Sequence, residues 1–197
     1  MKPVSDPADD IVQCRNRLRR KALEARECLS AAQRQALERQ LVAHLDKVIE
    51  ELAPRSIGFC WPYRAEPDLR AWIQAWLAQD EDRIAALPVV LEKDAAMHFR
   101  PWVPGAAMVL DRHGIPHPAA AAEVVPEVVL VPLNAFDAAG YRLGYGGGYF
   151  DRTLAQLDTV AIGVGFELGR VPSTWPQSHD RPMQWIVTEA GAARVQR

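Results

Sequence analysis

Ile11, Cys14, Leu18, Ala22, Ala25 and Leu29 recur at steps of three and four, the apolar stripe of an amphipathic helix. The spacing predicts a first helix over Asp10 to Cys28, after a loose start. Ser30 followed by Gln33 has the form of a capping box, and Leu37, Leu41, Leu45, Val48 and Leu52 then carry a second helical stripe. The pattern changes at "SIGFCW", which reads as a buried strand. "PDLRAWIQAWLAQ" after it reads as a helix with Pro67 in its first turn and Trp72, Ile73, Trp76 and Leu77 turned inward. Short β-branched runs follow in "RIAALPVV", "MHFRPWV", "EVVLVPL", "TVAIGVGF" and "WIVTE", with a helix around "FDRTLAQL". Two leading helices and then alternating strands and helices predict an α/β fold: a mostly parallel sheet with helices on both faces, Rossmann-like and three-layered. No repeat or linker divides the chain, so residues 1–197 are expected to form one domain. Gly105 to Pro126, rich in Ala and Pro, is the least readable segment.

Composition, 49% hydrophobic and 24% charged, is ordinary for a globular chain. Charge changes the picture more. A formal net charge of -2 argues against a surface built to hold nucleic acid, which needs a broad basic field, so any cationic site must be local. Cys14, Cys28 and Cys60 are odd in number and widely spaced without a CxxC pair, which supports neither a disulfide framework nor a zinc knuckle and fits a reducing compartment. "MKPVSDPADD" lacks an apolar signal region and no later run approaches membrane-spanning length. A cytoplasmic protein without a membrane partner is the expectation.

The stretch "RLGYGGGYFDR" is the strongest chemical signal. Gly144, Gly146, Gly147 and Gly148 lie between a strand and a helix, so their amides would face the space at a helix N-terminus, with Arg142 and Arg152 adding positive charge. Such a run suits a phosphate better than a plain turn, which needs only one or two glycines. It is not a P-loop, because Tyr149 stands where Gly-Lys-Ser/Thr should continue. A dinucleotide fingerprint is poorly matched, since Asn134 to Tyr141 separates the glycines from the strand, although Glu167 after the next strand keeps it open. Asp151 in the first turn of the following helix suits the helix dipole and would equally suit Mg²⁺ beside a polyphosphate.

Two weaker clusters accompany it. At 100° per residue, Arg15, Arg19 and Arg26 share a narrow sector beside the apolar stripe of the first helix, whereas Arg17, Arg20 and Lys21 fall on other faces. Arginines at a core boundary can bury their stems and present guanidinium groups to a cleft. Trp61, Tyr63 and Glu66 follow the first strand, at the end where open α/β sheets bind ligands.

Taken in order, "RNRLR", "FCWPYRAE", "HGIPHP", "PLNAFD", "GYRLGYGGGYFDR" and "HDRPMQWIVTE" resemble the 5-formyltetrahydrofolate cyclo-ligase (methenyltetrahydrofolate synthetase) family over nearly the whole chain. The resemblance implies ATP-dependent cyclisation of 5-formyltetrahydrofolate to 5,10-methenyltetrahydrofolate, with ATP and Mg²⁺ required, a small-molecule folate as partner and a monomer as the expected state. It implies catalytic roles for Arg142, Tyr149 and Asp151, and a nucleotide site of Arg15, Arg19 and the run Arg142, Leu143, Gly144, Tyr145, Gly146, Gly147, Gly148, Tyr149 and Phe150. Trp61, Glu66 and Tyr149 match folate-binding positions, and Asp151 and Asp180 match magnesium ligands. The chain departs from the family pattern at Arg15, usually Lys, at Tyr145, commonly Met, at Phe150, usually a second Tyr, and at His117, usually acidic. A non-catalytic folate- or nucleotide-binding paralogue, and a binder using only the basic helix, are the competing readings.

Overall fold

The computed structural model of the protein describes residues 7–196. Helix α1 (Pro7–Glu27) begins at Pro7 rather than Asp10, and the loose start expected at residues 1–6 lies outside the described residues. Arg15 and Arg26 are buried and Arg19 half-buried, while Arg17, Arg20 and Lys21 are exposed, as the helical angles require. Ala25, placed on the apolar stripe, is exposed. Helix α2 (Ala31–Leu52) opens on the capping box, with the Gln33 amide donating to Ser30 Oγ at 3.3 Å and the Ser30 amide to Gln33 Oε1 at 2.8 Å. Two orphan donors of the first turn are thereby satisfied locally.

The strands β1 (Ser56–Gly58), β2 (Ile84–Val89), β3 (His98–Trp102), β6 (Val128–Pro132), β9 (Val160–Val164), β10 (Trp185–Thr188) and β11 (Gly191–Arg194) form a seven-stranded sheet of order β11-β10-β9-β6-β1-β2-β3. Every pairing from β10 to β2 is parallel, and only the edges β3 and β11 run antiparallel. Helix α3 (Arg70–Leu77) starts later than Pro67, with the Asp68 carboxylate accepting from the Arg70 amide at 3.1 Å at its entrance. Leu41, Leu45 and Val48 of α2 and Ile73 and Trp76 of α3 pack with Ile57, Leu87, Leu130 and Ile162 on one face of the sheet. The opposite face carries Val129, Val131, Ala161 and Ile186, covered by Phe150 and Leu154 of the short helix α4 (Tyr149–Leu154).

Two hairpins stand outside the sheet and were not read from the sequence: β4 (Met108–Leu110) with β5 (Pro116–Pro118), and β7 (Ala135–Phe136) with β8 (Arg142–Leu143). Helix α1 rests on the second hairpin rather than on the sheet, with Ala22 against Ala135 and Leu143. Buried Asp137 secures this hairpin: its Oδ1 accepts from the Ala139 and Tyr141 amides, each at 3.1 Å, and its Oδ2 from the Thr174 amide at 2.9 Å and Thr174 Oγ1 at 2.8 Å. Among the described residues no helix is long and apolar enough to cross a membrane. Asp137→Ala removes the acceptor of four donors, the two on Thr174 buried, and should lower unfolding stability by about 2–4 kcal/mol. Urea unfolding measures it, and a loss below about 1 kcal/mol would show that the hairpin is held by other means.

Candidate functional site

Strand order reverses between β1 and β6, since the chain proceeds from β1 to β2 and β3 on one side and from β6 to β9 and β10 on the other. A crevice opens at the carboxyl ends of strands where such a reversal occurs, because the loops leaving the two strands part in opposite directions. A cavity of about 560 Å³ lies there. Its wall takes Cys60, Trp61, Tyr63 and Glu66 from the loop after β1, and Arg15 and Arg19 from α1. The glycine loop adds Gly144 to Gly148, followed by Tyr149, Phe150 and Asp151. Thus segments far apart in sequence share one space.

At one end, Arg15 is 6% exposed and makes a two-pronged contact with Asp180, Nη1 to Oδ2 at 2.6 Å and Nη2 to Oδ1 at 3.1 Å. The same Nη1 donates to the Trp175 carbonyl at 2.8 Å, and the Gln177 amide donates to Asp180 Oδ2 at 2.7 Å. Arg19, one turn on, forms no ion pair among the described residues; its Nη1 donates to Asn16 Oδ1 at 2.7 Å and its Nε is buried without a partner. Burial, and then the charge of Arg15, hold the Arg19 guanidinium below its usual range, with Asp180 opposing. A cation in this condition is short of an anion.

The glycine loop lines the same cavity. Gly146 at φ 93° and Gly148 at φ 66° adopt left-handed backbone that favours glycine. Arg152 fastens the loop, with Nη2 donating to the Gly147 carbonyl at 2.5 Å and the guanidinium stacked 5.1 Å from the Tyr149 ring. Arg142 is buried, and its Nη1 donates to Asp151 Oδ1 at 3.0 Å and to the Arg181 carbonyl at 3.2 Å. Asp151 Oδ1 also accepts from the Arg181 amide at 3.0 Å. Both of these bonds fall on one carboxylate oxygen.

At the other end, Glu66 is 7% exposed. Arg64 and Ala65, at φ 46° and 60°, turn the chain so that the Tyr63 amide donates to Glu66 Oε2 at 3.0 Å. Tyr145 Oη donates to Glu66 Oε1 at 2.8 Å. Burial pushes the Glu66 carboxyl up, against the Tyr145 hydrogen bond, the Arg26 charge and the Tyr63 amide. Trp61 has Arg70 Cζ 4.6 Å from its ring centroid and meets Trp102 edge-on at 6.5 Å. Arg15 and Arg26, eleven residues apart on α1, are separated by about 16 Å along its axis, so this helix spans the cleft from Asp180 to Glu66.

Of the residues singled out in the sequence, Arg15, Arg19, Trp61, Glu66, Arg142, Asp151, Asp180 and the loop from Gly144 to Phe150 all line the cavity. Leu143 does not: its side chain is fully buried and packs with Ala22 and Ala135 beneath α1. His117 is likewise buried, with Nδ1 2.9 Å from the Pro118 carbonyl. Among the described residues no group of three or more His, Cys, Asp or Glu side chains could hold a metal by itself. "HGIPHP" enters the sequence reading without a site role, yet at the tip of the β4–β5 hairpin Asp111, His113 and Ile115 face the cavity and His113 Nε2 lies 3.3 Å from Tyr149 Oη. "DRHG" at that tip carried the available signal, because Asp111 Oδ1 accepts from the His113 and Ile115 amides at 2.8 and 2.9 Å to close a turn. Arg26, recognised as inward-facing, also proves to touch the site through Tyr145, its Nη2 donating to Tyr145 Oη at 2.7 Å.

The family model described as "5-formyltetrahydrofolate cyclo-ligase family" matches residues 11–189. The 5-formyltetrahydrofolate cyclo-ligase of Haemophilus influenzae is 27% identical over 181 residues, covering 87% of this chain and 95% of that protein. That of Escherichia coli K12 is 27% identical over 175 residues, covering 84% and 94%. Among solved structures, the 5,10-methenyltetrahydrofolate synthetase of Aquifex aeolicus superposes with a TM-score of 0.80 at 26% identity, over 93% of each chain. The synthetase of Mycoplasma pneumoniae shares the fold, with a TM-score of 0.70 at 21% identity over 89% of this chain and 98% of that one.

Burial works against an ionised Asp180, yet the hydrogen bonds from Arg15 and the Gln177 amide outweigh it and hold its carboxyl below the usual range. A depressed carboxyl contributes stability above its unfolded pKa, near 3.9, and loses it as pH falls. Asp180→Ala, which leaves Arg15 buried without its carboxylate, should therefore cost about 3 kcal/mol at neutral pH. The gap to wild type should close as pH drops below about 4. A gap that stays constant to acid pH in urea unfolding would show that the ion pair is not its source.

Proposed function

The chain belongs to the 5-formyltetrahydrofolate cyclo-ligase family, and from that premise we propose that it converts 5-formyltetrahydrofolate to 5,10-methenyltetrahydrofolate with ATP as cosubstrate, releasing ADP and phosphate. The observation that carries this reading is that one cavity is lined by Arg19, which has no ion-pair partner among the described residues, by four glycines and by a buried acceptor at Glu66. The first end suits polyphosphate and the second suits the N–H groups of a pterin ring.

A formyl oxygen on nitrogen is a poor leaving group. Transfer of the γ-phosphoryl to that oxygen releases ADP and gives a phosphorylated imidate; N10 then attacks the formyl carbon, loses its proton to solvent, and phosphate departs with the oxygen, leaving the ring closed. No enzyme nucleophile is needed, and the site's work is to position the reactants and offset charge. Arg19 and the amides of the glycine loop would hold phosphate oxygens, and Arg142 would meet charge that develops during transfer. Glu66 would fix the pterin, with Trp61 and Tyr149 offering ring faces.

Mg²⁺ on a nucleotide commonly takes only one or two protein carboxylates, the remaining positions going to phosphate and water. Asp151 fits that need: it lines the cavity and its Arg142 and Arg181 bonds both fall on Oδ1. Asp180 has both oxygens engaged by Arg15, which suits fixing that arginine better than direct ligation. When bound, the metal supplies charge neutralisation for the phosphates.

Mixing the protein with 5-formyltetrahydrofolate and Mg-ATP should produce the methenyl chromophore, and excess chelator should abolish it. Turnover that survives chelation, or no product from folded protein, would contradict the reading. Arg19→Ala should cost ATP use about 2 kcal/mol through a lost charge-assisted contact. Arg20 is exposed and only 3.9 Å from Glu24 in an i,i+4 pair, so Arg20→Ala should cost well under about 1 kcal/mol. Equal losses at both positions would favour a diffuse basic face.

A further inference from the structure

Tyr145 stands on the glycine loop, yet its hydroxyl serves the opposite end of the cleft. The hydroxyl accepts from Arg26 Nη2 at 2.7 Å and donates to Glu66 Oε1 at 2.8 Å. The direction is fixed by elementary chemistry: a guanidinium only donates, so the single phenolic proton has Glu66 as its destination. Arg26 and Glu66 are both buried, at 3% and 7% exposure, and Arg26 Nη2 lies 4.0 Å from Glu66 Oε1. The other prongs of Arg26 hold backbone, Nε to the Arg64 carbonyl at 3.0 Å and Nη1 to the Leu133 carbonyl at 3.2 Å. With Oε2 accepting from the Tyr63 amide, each oxygen of Glu66 faces a donor.

We propose that Tyr145 is a positioning residue that relays Arg26 to Glu66 and keeps this carboxylate ionised and aimed as an acceptor for the N–H groups of the folate ring. The proposal rests on the reading that Glu66 marks the folate end. Burial drives Glu66 towards its neutral form, and the hydrogen bond from Tyr145 leads the influences that resist, ahead of Arg26 and the Tyr63 amide. Tyr145 itself is pushed up by burial and then by the Glu66 charge, so it remains a protonated donor. The remaining neighbours supply no substitute. Cys60, which lines the wall beside Glu66, is held as a neutral thiol by burial and by that carboxylate, and the Arg64 guanidinium is taken by Glu27 at 2.7 and 2.9 Å.

Tyr145→Phe removes only the hydroxyl and keeps the ring, including its edge contact with Tyr63 at 5.4 Å. The Michaelis constant for 5-formyltetrahydrofolate should rise roughly tenfold, the loss of a hydrogen bond to a charged group, and that for ATP should change far less. The acidic limb of kcat/KM for the folate should move to higher pH. A carboxyl-¹³C NMR titration of Glu66 in ligand-free protein should show the same upward displacement. Should Tyr145→Phe melt early, Tyr145→Met takes its place in both measurements. An unmoved Glu66 titration, or a loss confined to kcat or to the ATP constant, overturns the proposal. If wild type makes no methenyl product, the functional reading fails, and the Glu66 titration alone then decides whether Tyr145 positions this carboxylate.

Discussion

Two buried arginines fasten helix α1 to the protein, and both ends of the cleft depend on that attachment. Among the described residues its fully buried apolar side chain is Ala22, with Ile11, Cys14, Leu18 and Leu23 partly covered. Arg15 locks onto Asp180 and the Trp175 carbonyl, and Arg26 onto the Arg64 and Leu133 carbonyls and the Tyr145 hydroxyl. A buried guanidinium is costly without partners, because its desolvation must be offset by hydrogen bonds. The helix therefore fixes the loop after β1, the glycine loop and the segment around Asp180 relative to one another. Arg19 lies between the two anchors, where the docked helix carries it to the cavity wall without an ion-pair partner among the described residues.

The sheet contributes the place and the loops contribute the chemistry. A five-strand parallel run, β10-β9-β6-β1-β2, is buried on both faces and leaves its carboxyl ends open at the reversal between β1 and β6. Loops leaving those ends carry Glu66, and the β7–β8 hairpin carries Arg142 into the glycine run. Asp137 makes that hairpin rigid through four hydrogen bonds. In the proposed reaction rigid support matters, because phosphoryl transfer is governed by how well the reactants are placed.

Features that depend on local periodicity were legible in the sequence. Inward Arg15, Arg19 and Arg26 and outward Arg17, Arg20 and Lys21 follow from 100° per residue, and the apolar runs at β1, β2, β6, β9 and β10 announce buried strands. The glycine run gave away its own place at the cavity. Pairings between distant segments were not legible, since nothing near Arg15 in the chain points to Asp180, and nothing near Tyr145 points to Glu66 and Arg26. Leu143 sits inside the motif run but turns to the core, an alternation that "RLGYGGG" hides because its glycines have no side chains to show a period. The β4–β5 hairpin escaped because its strands are only three residues long and β5 is Pro-His-Pro, so neither a period of two nor one of 3.6 survives.

In the proposed reaction one cleft brings the γ-phosphoryl of ATP directly to the formyl oxygen of the folate. Isotopic labelling of that oxygen with ¹⁸O tests it without reference to any single side chain. Direct transfer requires the label to leave in the inorganic phosphate formed with each methenyl product. Label released instead into water, with unlabelled phosphate, would mean that ATP is hydrolysed apart from the folate and would contradict the shared site.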